Sequence, residues 1–255
     1  MQRIVAEGID GASEHFHELA RESKKIDETH IHVGPVDIVI EDPVQAVNCF
    51  IRHNPAEVLR FASEGLKDFM LSGEWPGRTE TIWQCSGQRH VDCDICLEQS
   101  EAAEFLLYEY ARASFIQQWI AKVQDRPVGH LRMHIQNATM HKENFDQFFW
   151  CVEERWDLGL ANSPLNLIQQ TPDIFQMELI LALSEKRGMG IRTPFIRKLL
   201  LPMLHILDHL EHKNIDGVCF QVNSLPDNLD WAEAQRQWTR EVFKENENAR
   251  PHTKN

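Results

Sequence analysis

Residues 174–201 read IFQMELILALSEKRGMGIRTPFIRKLLL, and the fold turns on how this stretch is divided. Residues 174–183 are nearly all apolar, a run of the length of a buried strand. Residues 184–191 follow as a polar turn holding Gly188 and Gly190. Ile191, Phe195, Leu199, Leu200 and Met203 then recur at helical spacing. Strand, glycine turn and helix in that order are a recipe for holding phosphate. Glycine lets backbone N–H groups approach an anion, and the first helical turn offers N–H groups with no partner inside the helix. Arg187, Arg192, Arg197 and Lys198 add local positive charge to a chain of net charge −13. Two glycines alone serve equally well as a tight turn between a core strand and a core helix.

The chain has 255 residues, enough for one full core with a substantial extension. Its composition, 42% hydrophobic and 25% charged, is that of an ordinary globular protein. Thirty-nine acidic residues against 26 basic ones argue against general nucleic-acid binding, which needs a basic footprint, and favour a cationic acceptor. No apolar run reaches transmembrane length, so no membrane partner is expected. A basic-then-apolar leader is missing from the N-terminus, and a cytoplasmic location is the expectation. Six cysteines in a chain of this length do not impose a disulfide framework.

Outward toward the N-terminus, residues 1–28 read as a polar helical segment with Ser13 as its cap and Phe16 and Leu19 on a thin apolar stripe. Residues 31–40 have strand character broken at Gly34-Pro35. A short helix is expected around residues 44–51. Another begins at Pro55 and stops near Gly73. Residues 72–81 are rich in turn formers and mark a boundary. Residues 82–85 and 90–97 read as strands. In the second, Val91, Cys93, Ile95 and Leu97 alternate with His90, Asp92, Asp94 and Cys96. Residues 101–111 suit a helix, although 105–108 also suit a strand. Residues 113–123 and 128–135 flank Gln124-Asp125-Arg126-Pro127 and read as a hairpin. Residues 137–173 are the least regular stretch, rich in aromatics, with a helix expected near 145–154. Residues 218–222 read as a strand reached by a helical crossover, and residues 230–243 as a terminal helix.

Two phrases carry a family resemblance. Arg187-Gly188-Met189-Gly190-Ile191-Arg192 resembles the pyrophosphate loop of the GNAT superfamily of N-acetyltransferases. Arg187 and Gly190 stand on its first and fourth positions. Arg192 stands where the family has glycine or alanine. Trp119, Ala121, Val123, Asp125, Val128, Gly129 and Arg132 resemble the phrase spanning that family's second and third strands. The resemblance covers residues 113–243. It implies an α/β fold, an acyl-CoA N-acyltransferase-like mixed sheet flanked by helices. It implies an N-terminal helical and strand extension over 1–80, an acyltransferase-like domain over 81–243 with the insertion at 137–173, and a polar tail over 244–255. Either residues 82–111 or residues 31–71 would supply its first strand and helices.

The activity implied is transfer of an acetyl or other acyl group from acyl-CoA, the implied cofactor, to a primary amine of a small molecule or peptide. The backbone of the fourth strand, around Leu179 and Leu181, would hold the pantetheine arm. Arg187, Gly188, Met189, Gly190, Ile191 and Arg192 would hold the pyrophosphate, and Asn228 matches a cofactor-binding asparagine loosely. Such a reaction needs a base for the amine and an acid for the thiolate. Glu178, a carboxylate inside an apolar run, is the candidate base. Its structural alternative is a position at the sheet edge or a salt bridge to Arg132. The family's tyrosine is missing, and Ser224 or solvent would replace it. His130 and His134 read as structural or acceptor-cleft groups. The alternative function is a non-catalytic acyl-CoA-binding or protein-interaction module.

Cys85, His90, Cys93 and Cys96 lie within twelve residues and offer four soft ligands suited to zinc. The strand alternation argues against them, because it sends Cys93 and Cys96 to opposite faces. The site assignment therefore holds no metal, with this set as the zinc alternative.

Overall fold

A computed structural model describes residues 2–24, 26–43, 54–74, 89–101, 105–142, 171–186, 188–227 and 229–248. In chain order these form β1 (Gln2–Ala6), α1 (Ile9–Glu22), β2 (His30–Ile40), α2 (Pro55–Ser72), β3 (Val91–Glu101), α3 (Phe105–Val123), β4 (Val128–His141) and α4 (Pro172–Glu185). A π-helical turn (Ile196–Leu200) then runs into α5 (Leu201–Glu211), followed by α6 (Ile215–Ser224) and α7 (Asp230–Asn248).

The four strands make one mixed sheet in the order β1-β2-β4-β3. β1 pairs parallel with β2, and β3 parallel with β4, so each pair is the outside of a β-α-β unit. The two units meet through antiparallel β2 and β4. The expected break at Gly34 appears as a register shift inside β2, with Gly34 at φ +87°, a value that suits glycine.

Alternation gives the sheet two unlike faces. Ile4, Val36, Ile38, Ile40, Leu131, Met133, Ile135, Val91, Cys93, Ile95 and Leu97 are buried in one core with Phe16 of α1 and Phe115 of α3. That core continues into α2, α4, α5 and α7. The fold is thus a mixed α/β architecture with a central sheet flanked by helices.

α2 has the termini its sequence foretold. Asn54 accepts from the Ala56 N–H, Pro55 opens the helix, and Gly73 closes it at φ +71°. The N-terminal segment differs: residues 2–6 are a strand, Gly8 precedes the helix, and Ser13 lies buried within it.

Three expected strands are helices. Residues 174–183 lie within α4, whose first turn carries Pro172 and which ends on Lys186 at φ +50°. An apolar run of that length fits a buried helix as readily as a buried strand. Here Phe175, Glu178, Leu179 and Ala182 make a helical inner face. Phe175 stacks on Trp119 at 5.0 Å and lies 6.2 Å from Phe195, an aromatic seam joining α3, α4 and the π-helical turn. Residues 113–123 are the second half of α3. They alternate poorly, being buried almost without interruption, and their alanines, glutamines and Lys122 continue the helix begun at Phe105. Only residues 128–135 of the expected hairpin are strand, and β4 continues to His141. Residues 218–222 lie in α6, started by Asn214, whose side chain accepts from the Gly217 N–H.

Pro202 does not stop the helix that begins at residue 194. The π-helical turn widens the backbone just before it and absorbs the missing N–H. The expected elements at 44–51, 82–85 and 145–154 lie outside the described residues.

Candidate functional site on the open face of the sheet

The face of the sheet turned away from α1 and α3 is polar. β2 supplies Asp37, β4 supplies His130, Arg132 and His134, β3 supplies Asp92, Asp94 and Cys96, and β1 supplies Arg3. Strand register aligns them in rows. Arg3 pairs with Asp37, Asp37 with His134, and His134 with Cys96, which makes one row across all four strands. Val5, Val39, Arg132 and Asp94 make the next.

Asp37 is the centre of this face and is only 8% exposed. His134 Nδ1 stands 3.1 Å from its Oδ1, Arg132 Nε 3.9 Å from the same oxygen, and Arg3 Nε 3.7 Å from Oδ2. Arg132 also reaches Asp94 at 3.5 Å through Nη1. None of these approaches gives Asp37 Oδ1 or Arg132 Nε a well-formed hydrogen bond, and both atoms are buried. The charges are layered. The Asp37 side chain is 11% exposed, while those of Arg3 and Arg132 are 61% and 41% exposed. Cations therefore form the outer layer over a buried carboxylate.

Gly129 has a defined place here. A Cβ at that position would overlap the Asp92 carboxylate, which accepts the His130 N–H at 2.9 Å. At the far end of the same face stand Asp27, His30, His32 and His141. Asp27 accepts from the Thr29 and His30 N–H groups at 2.8 and 2.6 Å and contacts His32 Nε2 at 2.6 Å. The His32 bond, with the backbone donors, holds the Asp27 carboxyl well below the usual carboxylate range.

The glycine turn is organised differently from the phosphate recipe. Residues 188–191 form a turn closed by the Ile191 N–H on the Gly188 carbonyl at 3.3 Å, with Gly190 at φ +87° and Met189 almost fully exposed. The helix that follows begins at Pro194. An internal anion already stands at its entrance: Glu178 accepts the Arg192 N–H at 2.9 Å and the Thr193 N–H at 2.8 Å. Burial opposes ionisation of this carboxyl, but the bonds from Thr193 and Arg192, with the Arg192 charge, outweigh it and hold it below the ordinary glutamate value. Glu178 is neither at the sheet edge nor beside Arg132; both its oxygens serve the turn. Leu179 and Leu181 are helical, so neither offers strand backbone to a pantetheine arm. Leu179 is buried in the core and Leu181 is partly exposed.

Ser224 closes the last turn of α6, donating to the Gln221 carbonyl at 2.7 Å. Arg187, Asn228 and Cys85 lie outside the described residues. Cys93 is buried in the core, whereas Cys96 lies on the open face. The strand separates the two thiols, as the alternation required. Among the described residues no group of three His, Cys, Asp or Glu side chains is placed to hold a metal ion, and no helix is long and apolar enough to cross a membrane.

The Asp37 row was not singled out from the sequence. Its signals were one aspartate inside the apolar run 36–40 and the polar positions that alternate with Leu131, Met133 and Ile135. No family model matches the chain, and no curated protein matches it.

Proposed function

We propose that the open face of the sheet binds an anionic small molecule carrying a phosphate or carboxylate, and that acyl-CoA is the first such molecule to test. The observation behind this is the layering of Arg3, Arg132 and His134 over the buried Asp37. Both guanidinium groups approach Asp37 through Nε, so Arg3 keeps its terminal nitrogens for an anion, and Arg132, whose Nη1 also reaches Asp94, keeps its other one. A purely structural ion-pair network would be expected to close its buried donors and acceptors; Asp37 Oδ1 and Arg132 Nε are left without hydrogen bonds. The carboxylate beneath keeps the two arginines together against their mutual repulsion.

Calorimetric titration of acetyl-CoA, free coenzyme A and inorganic phosphate tests this reading. Removal of a charged hydrogen-bond donor typically costs about 1.5–3 kcal/mol, so Arg132→Ala or Arg3→Ala should weaken binding by about tenfold or more. Gly190→Ala should leave it unchanged. Failure of all three probes to bind, or binding indifferent to both arginines, would sink it.

A second reading, acyl transfer to a primary amine, is favoured by Cys96 standing in register beside His134, which in turn faces Asp37. The Cys96 thiolate would attack the thioester carbonyl, with His134 taking the thiol proton and returning it to the departing coenzyme A sulfur. The amine would then attack the acyl-cysteine and release the thiol. Intact mass measurement after acetyl-CoA addition should show one acetyl group on the wild type and none on Cys96→Ser. An unmodified wild type excludes this route.

A further inference from the structure

α6 and α7, joined by residues 225–229, leave between them a cleft of about 460 Å³. Two helix faces line it. Cys219, Val222 and Asn223 come from α6, and Arg236, Thr239, Arg240 and Phe243 from α7, each set at the three- and four-residue spacing of one helical face. The volume falls in the range of small-molecule sites.

The inner part of the cleft is apolar and its rim is polar. Val222 is buried, and Phe243 is partly buried against the core. Thr239 is buried too, and its hydroxyl is taken by Gln235 Nε2 at 3.4 Å. Asn223 is exposed, and Cys219 carries a free, exposed thiol.

Two arginines line the cleft and, among the described residues, no carboxylate does, in a chain of net charge −13. The arginines have unlike tasks. Arg236 is fully engaged. Its Nη1 donates to Glu233 Oε2 at 3.1 Å, and its Nη2 to the Leu225 carbonyl at 2.5 Å and to Asp227 Oδ1 at 3.0 Å. It ties α7 to the connection from α6. Arg240 donates through Nη2 to Glu233 Oε1 at 2.7 Å and through Nε to the Arg236 carbonyl at 3.3 Å. Its Nη1 has no partner among the described residues, and its side chain is 60% exposed against 16% for Arg236. Glu233 therefore fixes the Arg240 guanidinium at the rim with one nitrogen left to donate.

This arrangement selects among anions. Glu233 and Asp227 stand behind the arginines and disfavour a multiply charged group such as phosphate. One open charged donor above an apolar interior suits a single negative charge on a hydrocarbon body. We propose that the cleft binds an amphipathic monocarboxylic acid, a medium-chain fatty acid being the simplest. Its carboxylate meets Arg240 Nη1 and the Asn223 amide, and its chain lies against Val222, Phe243 and the aliphatic stem of Arg236. The ligand class and the residues both differ from those of the open face of the sheet.

The test is calorimetric titration of the full chain with octanoate and decanoate below their micellar concentrations, beside decylamine and inorganic phosphate. The wild type should bind one decanoate, more tightly than octanoate, and should bind neither decylamine nor phosphate at this cleft. Arg240→Gln should weaken decanoate binding by about tenfold, the usual cost of a lost charged donor. Asn223→Trp, which fills the cleft from an exposed position, should abolish it. Arg132→Ala should bind decanoate as the wild type does. Cys219 reports on the site without any substitution: its alkylation by iodoacetamide, followed by peptide mass, should slow as decanoate saturates the wild type. Failure of both acids to bind would overturn the assignment. So would decylamine slowing Cys219 alkylation as decanoate does, binding indifferent to both Arg240→Gln and Asn223→Trp, binding lost in Arg132→Ala, or a Cys219 alkylated at the same rate with decanoate bound.

Discussion

Glu178 shows how one signal in the sequence can be answered by a structural partner. A glutamate inside an apolar run has to find a partner, and that much was readable. Its partners are the Arg192 and Thr193 N–H groups, fourteen and fifteen positions along the chain. The turn that resembles a phosphate loop thus has its own carboxylate. Glu178→Ala should destabilise the fold by about 1–3 kcal/mol for each buried N–H left unpaired, measured by urea denaturation. The effect depends on pH. Because folding lowers the pKa of this carboxyl, its stabilisation is complete above the ordinary value of 4.5 and is lost as pH falls through the lower folded value. The stability difference between wild type and Glu178→Gln should therefore be larger at pH 7 than at pH 3. A difference independent of pH would mean that the charge contributes nothing.

At the scale of elements, β2, β3 and β4 were legible, whereas β1 read as part of a helix and three helical stretches read as strands. β3 and β4 alternate cleanly because one face is packed and the other polar, so period two is written into their residues. α2 was legible from its capping residues. α3 and α4 were not: α3 is buried almost without interruption over residues 110–121, and α4 carries apolar Ile174, Met177 and Leu181 on its exposed side as well as Phe175 and Leu179 on its buried one, so neither shows a single stripe. What distinguishes α3 as a helix is tertiary. Gln117 lies fully buried on it, and its Nε2 donates toward the Val91, Gly129 and His130 carbonyls at 2.7, 3.2 and 3.0 Å. One side chain thereby ties the helix to the first residues of both β3 and β4. Gln117→Ala should cost about 1–3 kcal/mol, the penalty for leaving buried polar groups unpaired. Hydrogen exchange should accelerate most at the starts of those two strands. Uniform acceleration over the whole sheet would show that the residue supports the core in general and makes no specific tie.

At the scale of the molecule, two β-α-β units joined through antiparallel β2 and β4 bring distant parts of the chain onto one surface. Arg3, Asp37, Cys96 and His134 lie far apart in sequence and adjacent across the sheet. No local motif announces such a site, since only the strand order assembles it. The same topology sets the glycine turn of residues 188–191 on the helical side of the molecule, between α4 and α5, so the two candidate anion sites are separable by experiment. Amide chemical-shift mapping during titration with coenzyme A is the most direct test of the reading that the open face is the binding surface. The largest shifts should fall on Arg3, Asp37, Arg132 and His134 and disappear in Arg132→Ala. Shifts centred on residues 188–193, with the sheet undisturbed, would contradict it.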